Sequence, residues 1–259
     1  MSEPYTLLVD LGNTRLKWAL ESPRRWLGGF AADVNVGMVP DFDRLWHDLG
    51  PPARMMVANV RGAAAEAALI AWCTRRWAVV PRCLNPAVPV AGIANGYRDP
   101  AQLGPDRWAA VIGAHAVGSL PVVVVDCGTA ITIDVVDQHS RYLGGAIMPG
   151  LELAWRSLHD RTEQIVDGAA DCRHVLGRST AECVASGVFY GLVGGVERVI
   201  EEAGRSLGAL ANLLLTGGDA LRVQPFLKRP AMVEPDLVLR GLAEVMRRDE
   251  VAVRDPDTD

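Results

Sequence analysis

The sequence predicts an α/β protein built from two similar domains that face one another across a cleft. One observation is that, along the 259-residue chain, short apolar stretches typical of strands alternate with segments whose apolar residues recur at helical spacing. Another is an internal repeat. An apolar strand followed by Asp, an apolar residue, Gly and a polar turn occurs at Val9–Thr14 and again at Val125–Ala130, 116 residues later. We therefore place an N-terminal α/β domain at residues 1–117 and a C-terminal α/β domain at residues 118–259.

The first half is predicted to begin with two strands joined by a tight turn and to end with a helix. The predicted elements are strands at TLLVDLG and RLKWAL, a short helix at FDRLWHDLG, a buried strand at ARMMVANV, an Ala-rich helix at GAAAEAALIAWCTRRW and a strand beginning at AVVPRC. Asn85–Gly104 is irregular and rich in Pro and Gly, as functional or disordered loops are. The next segment, GPDRWAAVIGAHAVG, is predicted to be a helix, since Pro105 suits a first helical position.

The second half repeats the succession of strands and helices. The predicted elements are strands at PVVVVDCG, TAITIDVVD and YLGGAIMPG, a long helix at STAECVASGVFYGLVGGVERVIEEAG, a strand with a glycine turn at NLLLTGGDA and a closing helix at PDLVLRGLAEVMRRDE. The final VAVRDPDTD is expected to be frayed.

Composition favours a compact cytoplasmic protein. Apolar residues make up 49% of the chain and charged residues 22%, which is enough to bury a sizeable core. A net charge of −5 argues against a general nucleic-acid binder. Five cysteines without a CxxC pair favour reduced thiols. Since no stretch approaches ~18 uninterrupted apolar residues and the N-terminus lacks a basic region before an apolar one, we expect neither a membrane span nor export.

The turn that follows the first strand carries candidate phosphate-binding residues. A glycine-rich turn exposes several backbone N–H groups in one direction, which suits phosphate oxygens. Gly12 lets a phosphate approach the backbone, Asn13 and Thr14 add donors, and Lys17 supplies a cation. Asp10, at the end of the strand, can hold Mg²⁺ directly or through water. The alternative is that Asp10 only caps a hairpin turn and Lys17 is solvated.

Two further glycine turns also follow apolar strands. Gly128 and Thr129 repeat the phosphate-turn chemistry, and Gly217 and Gly218 leave room for a flat base or a ribose against the backbone. Three such turns point to a bound nucleotide, although three unrelated loops would show the same residues.

The segment Asn95–Trp108 carries a candidate proton acceptor. Asp106 follows Pro105 at a predicted helix N-terminus, where the helix dipole favours the ionised carboxylate. Such a carboxylate can accept a proton from a substrate hydroxyl or orient it toward a phosphoryl group. Arg107 can bind a carboxylate or phosphate through its planar fork, and Tyr97 offers a hydroxyl and a flat face. Taken singly, helix capping by Asp106 and a surface salt bridge from Arg107 are the simpler interpretations.

Five motifs together resemble type III pantothenate kinase: DLGNTRLK, GYRDPAQLGPDRW, VDCGTAITID, GGAIMPGLELA and LLTGGDA. The resemblance runs from about Thr6 to Glu244, with the motifs in the family's order. It implies the ribonuclease H-like fold of acetate and sugar kinases, Hsp70 and actin, with a nucleotide in the cleft. It also implies ATP-dependent phosphorylation of pantothenate, the first step of coenzyme A synthesis, by a homodimer.

The resemblance also implies residue roles. Asp10–Lys17 would hold the ATP phosphates, with Thr129 as a second ATP contact, and Asp126 would bind a monovalent cation, K⁺ or NH₄⁺. Asp106 would accept the proton of the pantothenate hydroxyl. The pantothenate contacts would be Tyr97, Gly104, Pro105, Asp106, Arg107 and Thr180.

One stretch departs from the family pattern, and two other functions stay open. Val57–Gly62, VANVRG, stands where a Ser-Ser-Val-Val-Pro-like stretch is expected. The chain could be another small-molecule kinase of the same superfamily, with a different acceptor. It could also be a non-catalytic accessory protein of transcription that kept the fold. Retention of Asp10, Lys17, Asp106 and Asp126 argues against the accessory protein, which has no need of a base.

Overall fold

The computed structural model describes residues 3–90, 92–118, 120–160 and 175–254. The chain forms two compact units, the first of Met1–Gly118, Ser140–Tyr142 and Asp236–Asp259 and the second of Ser119–His139 and Leu143–Pro235. This grouping differs from a single division after residue 117, because the last helix belongs to the first unit.

The strands in chain order are β1 (Thr6–Leu11), β2 (Arg15–Ser22), β3 (Arg25–Asp33), β4 (Arg54–Asn59), β5 (Arg82–Cys83), β6 (Ala94–Asn95), β7 (Val122–Cys127), β8 (Ala130–Val136), β9 (Arg141–Pro149), β10 (Asn212–Thr216) and β11 (Met232–Val233). The α-helices are α1 (Phe42–Trp46), α2 (Ala63–Trp77), α3 (Pro105–Val117), α4 (Leu151–His159), α5 (Thr180–Leu207), α6 (Ala220–Val223) and α7 (Leu237–Arg254).

The two main sheets have the same topology, which gives the sequence repeat a structural meaning. The sheet of the first unit has the order β3-β2-β1-β4-β5, and the second unit contains the order β9-β8-β7-β10-β11. In each, the strand that carries the repeated motif pairs antiparallel with the next strand in sequence and parallel with a later one. The α/β class with duplicated halves is therefore confirmed.

The first sheet packs one face against an aromatic core. Leu7, Val9 and Leu11 of β1 are buried in a cluster with aromatic side chains from α1 and α2. These aromatic residues are Phe42, Trp46, Trp72 and Trp77. Because successive strand residues point to opposite faces, Asp10 lies on the other face of β1. Helices α3 and α7 also belong to this unit. Both contact β4, and α7 contacts β1 as well.

A close helix crossing fixes the position of α3. A Cβ atom added at Gly241 of α7 would collide with the backbone oxygen of Ala109 in α3, and one added at Gly113 of α3 would collide with that of Leu237 in α7. The two helix backbones therefore touch directly, as only glycine allows at such a crossing. This contact holds α3, which carries Asp106 and Arg107 in its first turn.

The core of the second unit is formed by α5 and the strands β7, β8 and β10. Among the described residues, α5 alone has the length and apolar composition of a membrane-spanning helix, with a mean hydropathy of 1.4. Its residues Phe189, Leu192, Val196 and Ile200 pack into this core. Burial against the sheet accounts for the apolar residues on this face of α5.

Most predicted elements are present, and the differences have local causes. Strand β3 is not predicted, since its sequence RWLGGFAAD has two central glycines and lies mostly exposed. Helix α4 is not predicted either, because it is short and begins directly after Gly150, where the predicted strand YLGGAIMPG ends. The strand at AVVPRC is reduced to Arg82–Cys83, because Pro81 has no N–H for a ladder. The expectation of a frayed tail is wrong for residues 251–254, which continue α7, and residues 255–259 lie outside the described part.

Candidate active site

The turn between β1 and β2 places the first aspartate of the repeat opposite a lysine. The Gly12 N–H donates to the Arg15 carbonyl at 3.1 Å and closes the turn. Asp10 and Lys17 are direct partners in the antiparallel ladder, so their side chains leave the same face of the sheet. Asp10 is 8% exposed. A nearly buried carboxylate and a cation therefore share the edge at which the turn's N–H groups lie.

The two glycine turns of the second unit meet at Asp126. Gly217 has a φ of +90°, and a Cβ added there would collide with Oδ1 of Asp126 and lie 2.5 Å from the Cys127 carbonyl oxygen. A Cβ at Gly128 would lie 3.5 Å from the same Asp126 oxygen. The N–H of Asp219, which follows Gly218, donates to the Cys127 carbonyl at 3.0 Å. The structure thus brings together two turns that are 89 positions apart in the sequence (Gly128 to Gly217).

Negative charge is concentrated around Asp126. Cys127 is buried, and burial, together with the negative charges of Asp126 and Asp219, raises the pKa of its thiol to about 12. The thiol therefore stays neutral in the physiological range and serves packing. Carboxylate and carbonyl oxygens in one place are the ligands that hard cations prefer.

The N-terminus of α3 presents Asp106 in its first turn. Gly104 is the N-cap, Pro105 is the first helical residue, as predicted, and Asp106 is partly exposed. Oδ1 of Asp106 accepts a hydrogen bond of 2.7 Å from the backbone N–H of Arg107. One carboxylate oxygen therefore caps the helix, as the simpler interpretation expects, and this contact also fixes the orientation of the carboxylate.

Arg107 is buried and not on the surface, so the surface salt bridge considered for it is wrong. Its Nη1 donates to the Tyr97 hydroxyl and its Nη2 to the Tyr142 hydroxyl, each at 2.9 Å. The two tyrosine rings stack, with centroids 5.5 Å apart. The predicted pair Tyr97 and Arg107 is therefore in contact. Tyr142 is the second hydrogen-bond partner of Arg107, and sequence reasoning missed it.

The candidate residues fall into two groups, one in each unit. The first unit holds Asp10–Lys17, Tyr97 and Gly104–Arg107, and the second holds Asp126–Thr129, Gly217 and Gly218. Thr180 also belongs to the second unit, where it is the first helical residue of α5 after the N-cap Ser179. Within the described part of the chain, no cluster of three or more His, Cys, Asp or Glu side chains is arranged to hold a metal. A metal at either aspartate would therefore depend on other ligands, such as phosphate oxygens and water.

Comparison with known proteins identifies close relatives. The family described as type III pantothenate kinase matches residues 6–202. The type III pantothenate kinase of Nitrosospira multiformis is 36% identical over 246 residues, which cover 94% of this chain and 92% of the relative. The enzyme of the same name from Alkalilimnicola ehrlichii is 36% identical over 253 residues, 94% of this chain and 98% of the relative.

Solved structures show the same fold at lower identity. A structure described as a putative Baf family transcriptional activator from Campylobacter jejuni has a TM-score of 0.63 and 20% identity, with 95% of this chain and 99% of that one covered. The ethanolamine utilization protein EutJ from Carboxydothermus hydrogenoformans has a TM-score of 0.54 and 17% identity, covering 95% and 91%. A glucokinase from an Antarctic psychrotroph has a TM-score of 0.51 and 12% identity, covering 95% and 99%. At these identities the likeness shows the fold alone.

Proposed function

Because the chain belongs to the type III pantothenate kinase family, we propose that it phosphorylates pantothenate with ATP to give 4'-phosphopantothenate, the first step of coenzyme A biosynthesis. The observation that carries this proposal is the family match over residues 6–202, together with relatives 36% identical over nearly the whole chain. A kinase needs a phosphate site, an acceptor site and a base, and the candidate residues supply each of these chemistries.

The turn after β1 is the proposed site for the ATP phosphates. Asn13 and Thr14 supply backbone and side-chain donors, Gly12 permits close approach, and Lys17 supplies positive charge on the face that Asp10 shares. In the second unit, Gly128 and Thr129 are the proposed second phosphate contact, and Gly217 and Gly218 are proposed to lie against the adenosine. Backbone N–H groups of such turns are suited to phosphate oxygens.

Asp10 is the proposed Mg²⁺ residue. The nearly buried carboxylate fits an ion that favours carboxylate, water and phosphate oxygens and is held by few protein ligands. The ion supplies charge neutralisation of the transferred phosphoryl group when bound. Asp10 holds it directly or through a water molecule, and Lys17, its ladder partner, adds a second positive charge.

Asp106 is the proposed base. The pantothenate hydroxyl gives its proton to the carboxylate while its oxygen forms a bond to the γ-phosphorus. The bond from that phosphorus to the β–γ bridging oxygen breaks, and ADP leaves with the electron pair. The helix N-terminus favours the ionised carboxylate that this role requires.

Arg107 is the proposed partner of the pantothenate carboxylate. Two tyrosine hydroxyls already fix this buried guanidinium, so little of its side-chain entropy is lost when the substrate binds. Tyr97, Gly104 and Pro105 are proposed as neighbouring contacts, and Thr180 as a further contact from α5.

Replacing Tyr142 with Phe is expected to raise the KM for pantothenate about 10- to 100-fold, since a hydrogen bond to a charged group of roughly 1.5–3 kcal/mol is lost. The KM for ATP should stay unchanged, and steady-state kinetics with each substrate varied in turn measures both constants. Tyr190→Phe is the matched control, because that ring packs against Phe226 in the second unit. Equal pantothenate KM values in the two variants would contradict the role of Tyr142.

Asp126 is the proposed monovalent-cation residue. Bound ATP carries more negative charge than one Mg²⁺ cancels, and a weakly hydrated K⁺ or NH₄⁺ offsets part of the remainder. The Asp126 carboxylate and the Cys127 carbonyl oxygen, which both lie against Gly217, fit such an ion. Electrostatic terms of this kind are large in a water-poor site.

Activity is therefore expected to rise strongly when K⁺ or NH₄⁺ replaces Na⁺ in the buffer, and Asp126→Asn should blunt that response. The measurement is initial rate against cation concentration at constant ionic strength. Equal wild-type activity in Na⁺ and K⁺ buffers would remove the cation site from the proposal.

A cytoplasmic homodimer is the proposed assembly, as the family resemblance implies. Leu143 and Ile147 of β9 are 44% and 63% exposed and Leu153 of α4 is 46% exposed, so apolar side chains of the second unit are available for a partner to cover. Sedimentation equilibrium would show a single monomeric species if this part of the proposal were wrong.

The experiment that tests the proposed function is ADP release in a coupled assay, with pantothenate compared against a panel of small alcohols and sugars. Pantothenate alone should stimulate ADP release. Stimulation by another alcohol would favour a different kinase of the superfamily, and no stimulation by any acceptor would favour the non-catalytic accessory protein.

A further inference from the structure

The Arg61 side chain donates hydrogen bonds to backbone carbonyl groups of two loops in the first unit. It follows β4 in the stretch Val57–Gly62 that departs from the family pattern. Its Nη1 donates to the carbonyl oxygens of Gly12, at 3.0 Å, and Asn13. Its Nη2 donates to those of Asn35 and Met38, both at 2.5 Å. One guanidinium group therefore joins the turn after β1 to the loop after β3.

These contacts decide which way the turn's N–H groups point. In a trans peptide unit the C=O and the N–H are fixed in one plane and point in opposite directions. Since the Gly12 and Asn13 carbonyls point at Arg61, the N–H groups of Asn13 and Thr14 point away from it. Both donors therefore share one direction, which is the arrangement that an anion-binding turn requires.

Arginine suits this task better than any other side chain. Its planar group carries five N–H donors in a fixed fork and here serves four carbonyls, whereas the ammonium of lysine has only three donors. Among the described residues Arg61 forms no ion pair, so its charge is shared only with carbonyl dipoles and stays close to the turn. The backbone of Arg61 is itself fixed, because its backbone N–H donates to Oδ1 of Asn59 at 2.9 Å.

We infer that Arg61 is a positioning residue for the phosphate-binding turn, which orients the N–H groups of Asn13 and Thr14 toward the ATP phosphates through its hold on the Gly12 and Asn13 carbonyls. The inference rests on the proposed function of that turn. It assigns a role to the stretch in which this chain departs from the family, and it acts on ATP and not on pantothenate.

The test compares Arg61→Ala and Arg61→Lys with Arg24→Ala. Arg24→Ala is the matched control, because it removes the same charge from an exposed position in the turn between β2 and β3, at the other end of β2 from the phosphate-binding turn. Binding of Mg²⁺–ATP is measured by calorimetry without acceptor, and KM is measured for both substrates. Both Arg61 variants should bind ATP about 10- to 100-fold more weakly, the effect of losing hydrogen bonds to a charged group. The KM for pantothenate should change less than about twofold.

Added guanidinium ion should restore part of the ATP affinity of Arg61→Ala and leave that of Arg24→Ala unchanged. If Arg61→Ala does not fold, as thermal unfolding would reveal, Arg61→Lys carries the test alone. ATP affinity of the Arg61 variants equal to that of Arg24→Ala, or equal losses for ATP and pantothenate, would overturn the inference. Absence of phosphopantothenate with the wild-type protein would instead overturn the proposed function, and the calorimetry would still report on Arg61.

Discussion

Asp106→Asn is expected to lower turnover by about 10²- to 10⁴-fold, the contribution of a positioned general base. The amide keeps an oxygen that can accept the Arg107 N–H, so the cap of α3 survives the change. What is lost is the ability to take the proton of the acceptor hydroxyl. ATP binding and the thermal midpoint should therefore stay close to those of the wild type, while the catalytic step slows.

The matched control is Asp99→Asn, a change of the same chemistry in the segment just before α3. Asp99 also accepts a hydrogen bond at the start of a helical turn, from the Ala101 N–H at 3.1 Å, but it has no proposed contact with substrate. Single-turnover and steady-state rates should fall for Asp106→Asn only. Turnover near the wild-type value would mean that Asp106 is a helix cap and nothing more.

Asp10→Asn is expected to raise the Mg²⁺ concentration for half-maximal activity by about 10- to 100-fold, the usual effect of altering the immediate surroundings of a bound metal. The change removes a charge that is nearly buried and faces Lys17 across the ladder. The KM for pantothenate should move little, because its proposed contacts lie at α3. The measurement is initial rate against free Mg²⁺ at saturating ATP.

Asp33→Asn is the control for this second variant. Its carboxylate pairs with Arg15 in the same sheet, and its side chain is 86% exposed, so removing its charge leaves the turn intact. An Mg²⁺ titration of Asp10→Asn that overlays those of the wild type and Asp33→Asn would assign Asp10 to capping the hairpin.

Local patterns made most of the fold predictable from the sequence. Each copy of the repeat is an apolar strand ending in Asp and a glycine turn, and these residues specify a buried strand and an antiparallel partner without help from distant parts of the chain. The repeat therefore also anticipated two sheets of equal topology. The exposed β3 lacks such a local signal, because two central glycines interrupt it. Helix α4 has nine residues and follows the glycine turn after β9 directly, so its bounds depend on packing.

The candidate site was predictable where its residues are neighbours in sequence. Asp106 and Arg107 share one helix start, and Asp10 and Lys17 share one hairpin, so spacing alone related them. Tyr142 lies 35 positions from Arg107, and Arg61 lies 49 positions from Gly12. Contacts of that kind depend on strand order and loop path, which a single sequence does not display.

The measurement that tests the central claim most directly is transfer of the labelled γ-phosphoryl group from ATP to pantothenate, followed by mass spectrometry of the product. The wild-type protein with Mg²⁺ and K⁺ should yield 4'-phosphopantothenate in equal amount to the ADP formed, and Asp106→Asn should yield almost none over the same time. ADP formation without labelled phosphopantothenate, or equal yields from the two proteins, would contradict the account.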